Sequence, residues 1–359
     1  MNKLTGLPSC DIATYRWSEI TREFLAAKNV CVIGHVNPDA DAIGSVCATV
    51  AAARQLGKQA QGIIGSTDPI EEGLLTIPGA DQVRGVEVLP PADLYIVLDC
   101  GASSRTGALQ GQLLNEAEKV IVIDHHASNR GFGHWNVIDA HAESTTTMLV
   151  PWFQQLGVEL TRDVAYCLYA GLATDTGSFK WGRPQMHSMA QQLLETGLEV
   201  RDLSTELFDG GNLADLKMLG RVISELRAYD VQSSGASARE VTTQQFQIPT
   251  QAAASKTKSV VFAVASYERI TGHDHGAVER IADVIRSLRG IDLAVVLKEY
   301  SHGEWTISLR SHTENVAQIA TAFGGGGHLR SAGFSVFGSE DFVIAEILKV
   351  VVDQFDAPE

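Results

Sequence analysis

The sequence predicts an α/β protein: a doubly wound parallel sheet in an N-terminal domain, joined by a helical connector to a smaller α/β C-terminal domain. Three observations carry that prediction. Short apolar runs rich in β-branched residues alternate with helical periodicity through the first half of the 359 residues, the pattern of a parallel sheet with crossover helices. Runs such as Val120-Ile121-Val122-Ile123 show no polar alternation, as expected of strands buried on both faces. The chain is also too long for one compact core, and new strands begin after a long helical stretch.

Val30 to Gly34 reads as a strand, and Ala42 to Leu56 as a helix stopped by Gly57. Ala60 to Gly65, Leu94 to Asp99 and Val120 to Asp124 are further strands. Met148, Leu149, Trp152, Phe153 and Leu156 keep helical spacing, with Pro151 marking a kink or a restart. Val164 to Thr174 is helical up to the Asp175-Thr176-Gly177 turn, and so is Met186 to Leu198. Helical character continues to Leu226 with a break at Gly210-Gly211, and Ser233 to Ser237 is a turn. Strands follow at Val260 to Ala265, Leu293 to Leu297 and Trp305 to Leu309, with helices at Val278 to Leu288 and Val316 to Phe323. Residues 1–189 thus form the first domain, 190–228 the connector and 229–359 the second domain.

Composition narrows the function. Hydrophobic residues at 45% and charged residues at 20% suit a soluble globular chain. No apolar stretch approaches the roughly 18–20 residues that span a bilayer, and the N-terminus lacks a signal pattern, so a cytoplasmic protein without a membrane partner is expected. Cys10, Cys31, Cys47, Cys100 and Cys167 are odd in number and form no Cys-x-x-Cys pair, which predicts buried free thiols. The net charge of −15 and the absence of a basic cluster argue against long nucleic acids. A nucleotide or short oligonucleotide, gripped at a few phosphates, remains compatible.

Four apolar runs end in metal-ligand residues: His35 with Asp39 and Asp41, Asp99, Asp124-His125-His126, and Asp175. In an open parallel sheet the carboxyl ends of the strands share one edge, where ligands bind. Residues far apart in sequence can therefore converge there. The spacing lets His35 and Asp39 face one ion and Asp41 another; Asp99, His125 and Asp175 complete six ligands from four segments. Their four carboxylates match the charge of two divalent ions, and without metal they would repel and raise one another's pKa values. Oxygen and imidazole donors without thiolate favour manganese or magnesium-like ions over structural zinc. Two such ions can activate a bridging hydroxide and stabilise charge on a phosphoryl group. An Asp or His after a strand commonly only caps the next helix, and Asp99 could do so near Ser103; four coincident cases in one half-chain weigh against that.

A second cluster is Gly324-Gly325-Gly326-Gly327-His328, followed by Arg330, with Arg310 at the exit of an upstream strand. Glycines let main-chain N–H groups approach an anion, and His328 with Arg330 could add charge-assisted contacts to a phosphate. The bland alternative is a flexible hinge. His273 and His275, between Gly272 and Gly276, read as a solvated loop.

At these residues the chain resembles the DHH phosphoesterase family. Its motifs are matched by His35 to Ser45, Leu98 to Gly107, Asp124-His125-His126 with Asn129, Ala173 to Phe179, and the glycine signature Gly324 to Gly333. Within the family it is most similar to RecJ-like bacterial nanoRNase/pAp phosphatases. The resemblance implies two manganese ions, one held by His35, Asp39, Asp99 and Asp175, the other by Asp41, Asp99, His125 and Asp175. It places His126 at the scissile phosphate, as charge stabiliser or proton donor, and Asp124 behind it as an orienting residue. Arg310, His328 and the backbone of Gly325, Gly326 and Gly327 would bind the substrate's terminal phosphate. Arg330 stands where a small or polar residue is expected; it either supplements phosphate binding or points outward. Hydrolysis of very short oligoribonucleotides or of pAp is implied, in a cleft between the domains, and a homodimer is the family-level expectation. Cyclic di-AMP or pApA phosphodiesterase activity is the alternative. A pyrophosphatase fits less well, because the glycine signature is present and a Lys/Arg-rich C-terminal site is not. A nucleotide-sensing protein with a dead site is the non-enzymatic alternative.

Overall fold

The computed structural model describes residues 14–208, 212–232, 237–241, 257–273 and 275–355, and the chain divides into two compact units, Met1–Gly210 and Gly211–Glu359. The boundary falls inside residues 190–228. Cys10, Gly210-Gly211 and the turn at Ser233 to Ala236 lie outside the described residues.

The first unit runs α1 (Thr14–Ala26), β1 (Asn29–Gly34), α2 (Ala40–Gln55), β2 (Gln59–Ile64), β3 (Arg84–Gly85), β4 (Leu94–Leu98), α3 (Gln110–Asn115), β5 (Val120–Asp124), β6 (Trp135–Ile138), α4 (Thr145–Leu156), α5 (Arg162–Asp175), α6 (Gln185–Leu194) and α7 (Val200–Phe208). Its six strands are parallel, in the order β3-β2-β1-β4-β5-β6. The order reverses between β1 and β4, and in doubly wound sheets the crevice outside that reversal is where ligands bind. Val30, Val32, Ile96, Leu98, Ile121 and Ile123 face a core shared with α2, α4 and α5. Cys31, Ile33, Tyr95, Val97, Val120 and Val122 face a thinner layer with Leu109 and Leu113. Burial on both faces explains the missing polar alternation.

Helix α1 adds Ile20 and Phe24 to the larger core, with the Phe24 ring 5.0 Å from that of Trp152. Helix α4 runs unbroken through Pro151. Helices α2 and α5 approach closely because Gly44 has no side chain: a Cβ there would meet the Cys167 carbonyl oxygen at 2.3 Å. Cys31, Cys47, Cys100 and Cys167 are buried and free. Burial, with the charges of Asp124 and Asp99, pushes the Cys100 thiol well up, which argues against a nucleophilic thiolate.

The second unit contains α8 (Leu213–Ser224), β7 (Arg227–Gln232), β8 (Ser237–Val241), β9 (Thr257–Ala265), α9 (Tyr267–Ile270), α10 (His275–Arg286), β10 (Leu293–Ser301), β11 (Glu304–Arg310), α11 (Val316–Ala322), β12 (Gly326–His328), β13 (Ser331–Phe337) and α12 (Glu340–Phe355). Its strand order is β12-β13-β11-β10-β9-β7-β8, with β9 and β10 parallel and the other neighbours antiparallel. Val295, Leu297, Ile307 and Leu309 pack on α11 and α12, while Ala294 and Val296 pack on α10 from the opposite face.

Two expectations change here. Gly326 to His328 is an edge strand rather than a loop, paired with β13 through a hairpin whose turn is Leu329-Arg330. Glycine carries no side-chain alternation, so this strand leaves no pattern to read. The segment around His273 and His275 is not a solvated loop throughout. His273 Nδ1 lies 2.7 Å from Asp215 Oδ1, and the His275 ring, at the start of α10, stacks on Tyr300 at 5.0 Å.

Candidate metal centre

His35 follows β1 and is buried. Its Nε2 points at Asp39 Oδ2 (3.7 Å) and Asp99 Oδ2 (3.5 Å), while Nδ1 lies 2.9 Å from the Val36 carbonyl oxygen. Asp39 caps α2: one oxygen accepts from the Asp41 and Ala42 N–H groups at 3.0 Å each, and the other faces His35. Capping and ligation are therefore compatible in one carboxylate, because each uses a different oxygen.

Asp41, fully buried in the first turn of α2, receives N–H donors from the start of α4: Thr145 at 2.6 Å to Oδ2 and Thr146 at 3.0 Å to Oδ1. A helix N-terminus favours negative charge, so α4 holds this carboxylate in place. Ser144 starts α4 with a reciprocal capping box to Thr147.

Asp99 follows β4 with φ of 57°, a left-handed conformation uncommon outside glycine. Its Oδ1 accepts the Thr145 hydroxyl (3.1 Å) and lies 3.5 Å from His125 Nε2, whereas its Oδ2 lies 3.5 Å from His35 Nε2. One carboxylate thus offers an oxygen to each of two histidines.

At the end of β5, His125 Nε2 faces Asp175 (3.2 Å), Asp99 (3.5 Å) and Asp41 (3.9 Å). Its Nδ1 lies 3.3 Å from the Ala142 carbonyl oxygen, which orients the ring and turns Nε2 toward the carboxylates. Asp124 is buried between His126 Nδ1 (2.8 Å) and Asn129 Nδ2 (2.7 Å). Asp175 ends α5, and Ser178 and Phe179 after it have φ of 60° and 63°.

Burial opposes charge on His35, Asp39, Asp41, Asp124, His125 and Asp175, and their neighbours decide the outcome. Burial disfavours the His35 cation, but Asp39 and Asp99 outweigh it and hold its pKa at about 10. Burial likewise opposes the raised pKa of His125, and Asp175 overcomes it. Asp41 is raised well above the usual carboxylate range by burial and by the charges of Asp99 and Asp175. Burial also pushes Asp175 up to about 6, against its bond to His125. For Asp39 and Asp124 burial acts the same way but is overcome by the bonds from His35 and His126, which hold both below the usual range.

The donor set fits divalent cations. His35, Asp39 and Asp99 form one group whose ligand atoms converge, and Asp41, His125 and Asp175 form another. Donors about 2.1 Å from one cation lie roughly 3.0–3.4 Å apart, so donor spacings of 3.2 to 3.9 Å suit ligation with small closure. Coordination needs neutral imidazoles, so protons must leave His35 and His125 when a cation binds. Because the His35 pKa lies near 10 in the folded chain, that proton is present at pH 7, and raising the pH favours the cation. We expect Mn²⁺ affinity to rise about 10- to 100-fold from pH 6 to pH 8, with proton release in calorimetry across buffers of different ionisation enthalpy. Binding that is independent of pH would contradict this.

In the second unit, strand register aligns Arg310, Ser331 and His328 on one rung of three adjacent strands. They share the face opposite Leu309, Ala332 and Phe334, which point into the α11 and α12 core. Gly325 and Gly327 admit close backbone approach: a Cβ would meet the Gly333 carbonyl oxygen at 2.2 Å and Ala332 Cα at 2.6 Å, respectively. Arg330 is on the hairpin turn, and its Nη1 donates to the Glu314 carbonyl (2.9 Å).

Residues 29–172 match the model of the DHH family, N-terminal domain, and residues 259–356 match the DHHA1 domain. The chain belongs to the DHH phosphoesterase family. DHH enzymes hydrolyse phosphoester bonds, and the candidate ligand cluster lies within that N-terminal match or just beyond it. The chain is 28% identical over 338 residues, 90% of each sequence, to the bifunctional oligoribonuclease and PAP phosphatase NrnA of Thermus thermophilus. It is 24% identical over 340 residues to the cyclic-di-AMP phosphodiesterase GdpP of Geobacillus thermodenitrificans, covering 88% of this chain and 46% of that protein. The crystal structure of an exopolyphosphatase-related protein from Bacteroides fragilis shares the fold, with a TM-score of 0.78, 20% identity, and 98% and 100% coverage. RecJ of Thermus thermophilus in complex with Mn²⁺ aligns at a TM-score of 0.51 and 14% identity, over 99% of this chain and 56% of that one. No helix among the described residues is long and apolar enough to cross a membrane.

Sequence reasoning missed Thr145, Thr146 and Arg105. Ser144 before a threonine run is a helix-start signal, but nothing in it announces Asp41 as the acceptor. Arg105 Nη2 lies 2.8 Å from His35 Nδ1, a contact that only the neighbouring ends of β1 and β4 create.

Proposed function

We propose that this DHH chain hydrolyses 3′,5′-phosphodiesters of very short oligoribonucleotides and the 3′-phosphate of pAp, using two divalent ions, with manganese the expected pair. The observation carrying the reading is Asp99, which directs one oxygen to each of two histidine-containing ligand sets. The substrate class is supported by the similarity to NrnA over 90% of both chains. His35, Asp39 and Asp99 would hold one ion, and Asp41, His125, Asp99 and Asp175 the other. When bound, such a pair supplies Lewis-acid charge stabilisation and acidifies water near neutral pH.

The remaining chemistry belongs to the chain. Asp124, held ionised by His126 and Asn129 against burial, accepts a hydrogen bond from the His126 Nδ1–H, which leaves Nε2 to meet the substrate. From there it stabilises the phosphoryl charge or donates a proton to the departing oxygen, with Asp124 as its positioning residue. Arg310, His328 and the backbone of Gly325, Gly326 and Gly327 bind a terminal phosphate on the second unit. Arg330 anchors the hairpin turn through Glu314.

The GdpP similarity favours one second reading, hydrolysis of cyclic di-AMP or pApA. A panel of pAp, dinucleotides, cyclic di-AMP and pyrophosphate, followed over time with Mn²⁺, decides between them. Turnover of dinucleotides and pAp is expected, and turnover of cyclic di-AMP alone selects the second reading. Cleavage of pyrophosphate alone, or binding without turnover, overturns both.

A further inference from the structure

Arg105 lies in the 3₁₀ segment Ser103–Leu109 after β4, and its backbone is held firmly at the carboxyl edge of the sheet. The Val36 N–H donates to the Arg105 carbonyl (2.8 Å), and the Arg105 N–H donates to that of Ala102 (3.0 Å). Two residues on, Gly107 has φ of 60°, and a Cβ there would fall 2.3 Å from the Gly65 carbonyl oxygen and 2.4 Å from Val36 Cγ1. The arginine therefore starts from a fixed point beside the metal ligands. Its side chain is exposed, and among the described residues it makes no ion pair with Asp39 or Asp99. Its guanidinium instead lies 2.8 Å from His35 Nδ1.

That nitrogen has two claimants that exclude each other. The Val36 carbonyl, 2.9 Å away, can only accept, and a guanidinium can only donate. When His35 coordinates a cation through Nε2, the ring proton sits on Nδ1 and goes to Val36. The guanidinium then has no acceptor at the ring. It stands at the mouth of a site that holds Asp39, Asp41, Asp99, Asp124 and Asp175 and must nevertheless receive a polyanion. Guanidinium groups match phosphate oxygens in charge and geometry.

We propose that Arg105 is a substrate-binding residue that grips the non-bridging oxygens of the substrate phosphate on the His35 side of the centre. This rests on the phosphoesterase reading above. No proton or bond is transferred at Arg105.

The test uses the full chain, wild type beside Arg105→Ala and Arg105→Lys, each loaded with Mn²⁺. Binding of inorganic phosphate is measured by calorimetry, Mn²⁺ affinity is measured separately without phosphate, and kcat/KM is measured on whichever ester the wild type cleaves. Arg105→Ala is expected to weaken phosphate binding and kcat/KM by about 10- to 100-fold while Mn²⁺ affinity stays within about threefold. Arg105→Lys is expected to recover only part of the loss, having the charge without the fork. Unchanged phosphate binding overturns the proposal. So does a tenfold loss of Mn²⁺ affinity with phosphate binding intact at saturating metal, because Arg105 would then act only through His35. If Arg105→Ala unfolds, full phosphate affinity in Arg105→Lys overturns it equally. A wild type that cleaves no ester refutes the functional reading above, while the phosphate arm still decides the role of Arg105.

Discussion

Asp99→Asn is expected to slow hydrolysis about 10³- to 10⁵-fold while leaving a folded chain that still binds nucleotide. Asparagine is the informative replacement. Asp99 has φ of 57°, a conformation that asparagine tolerates and alanine resists, so the backbone at the end of β4 stays in place. What changes is the charge that faces His35 at 3.5 Å with one oxygen and His125 at 3.5 Å with the other. A neutral amide offers a single weak oxygen donor, so it can serve one ligand set at most. Mn²⁺ stoichiometry, read by calorimetry, should fall from two toward one, and the metal-induced rise in melting temperature should shrink with it. Single-turnover rates within tenfold of wild type would remove Asp99 from its shared position. Nucleotide binding without hydrolysis in the wild type itself would favour the sensor reading instead.

The convergence of the candidate ligands was legible because a parallel sheet puts strand ends on one edge, so His35, Asp99 and His125 needed only recognisable strands to be placed together. The strand order was not legible. No pattern in the sequence says that β1 and β4 are neighbours, although that adjacency brings His35 within reach of both Asp99 and Arg105. Helices α1 and α12 escaped attention although both are amphipathic, and β6 is only four residues with one buried side chain. Strand β12 is hidden by its own glycines. Arg330 illustrates a different limit: the sequence left it either supplementing phosphate binding or pointing outward, and only the hairpin turn brings its Nη1 to the Glu314 carbonyl. Its spacing marked Asp41 as a candidate to face an ion, but its support by Thr145 and Thr146 depends on contacts about a hundred residues away in sequence.

Gly171→Ala is expected to cost about 100-fold in activity and a comparable factor in Mn²⁺ affinity, although Gly171 touches no ion and carries no functional group. In the interior of a helix such as α5, replacing glycine by alanine ordinarily stabilises by about 1 kcal/mol. Here a Cβ would fall 2.2 Å from Asp41 Oδ1 and 2.5 Å from Thr146 Oγ1, closer than such atoms are found. The fully buried Asp41 has little room to retreat, because both of its oxygens are bonded to the start of α4. Its carboxylate must rotate or α4 must shift, and either movement carries it off the position facing His125. The helix gain and the clash oppose each other in overall stability, so melting temperature is a poor readout and metal affinity a sharp one. Gly220 in α8 supplies the control, since a Cβ there meets nothing within 4 Å. Gly220→Ala should add the helix term alone and leave Mn²⁺ affinity unchanged. If Gly171→Ala binds Mn²⁺ within about threefold of wild type, the packing of α5 against Asp41 does not position the ligand, and the centre tolerates movement that this geometry forbids.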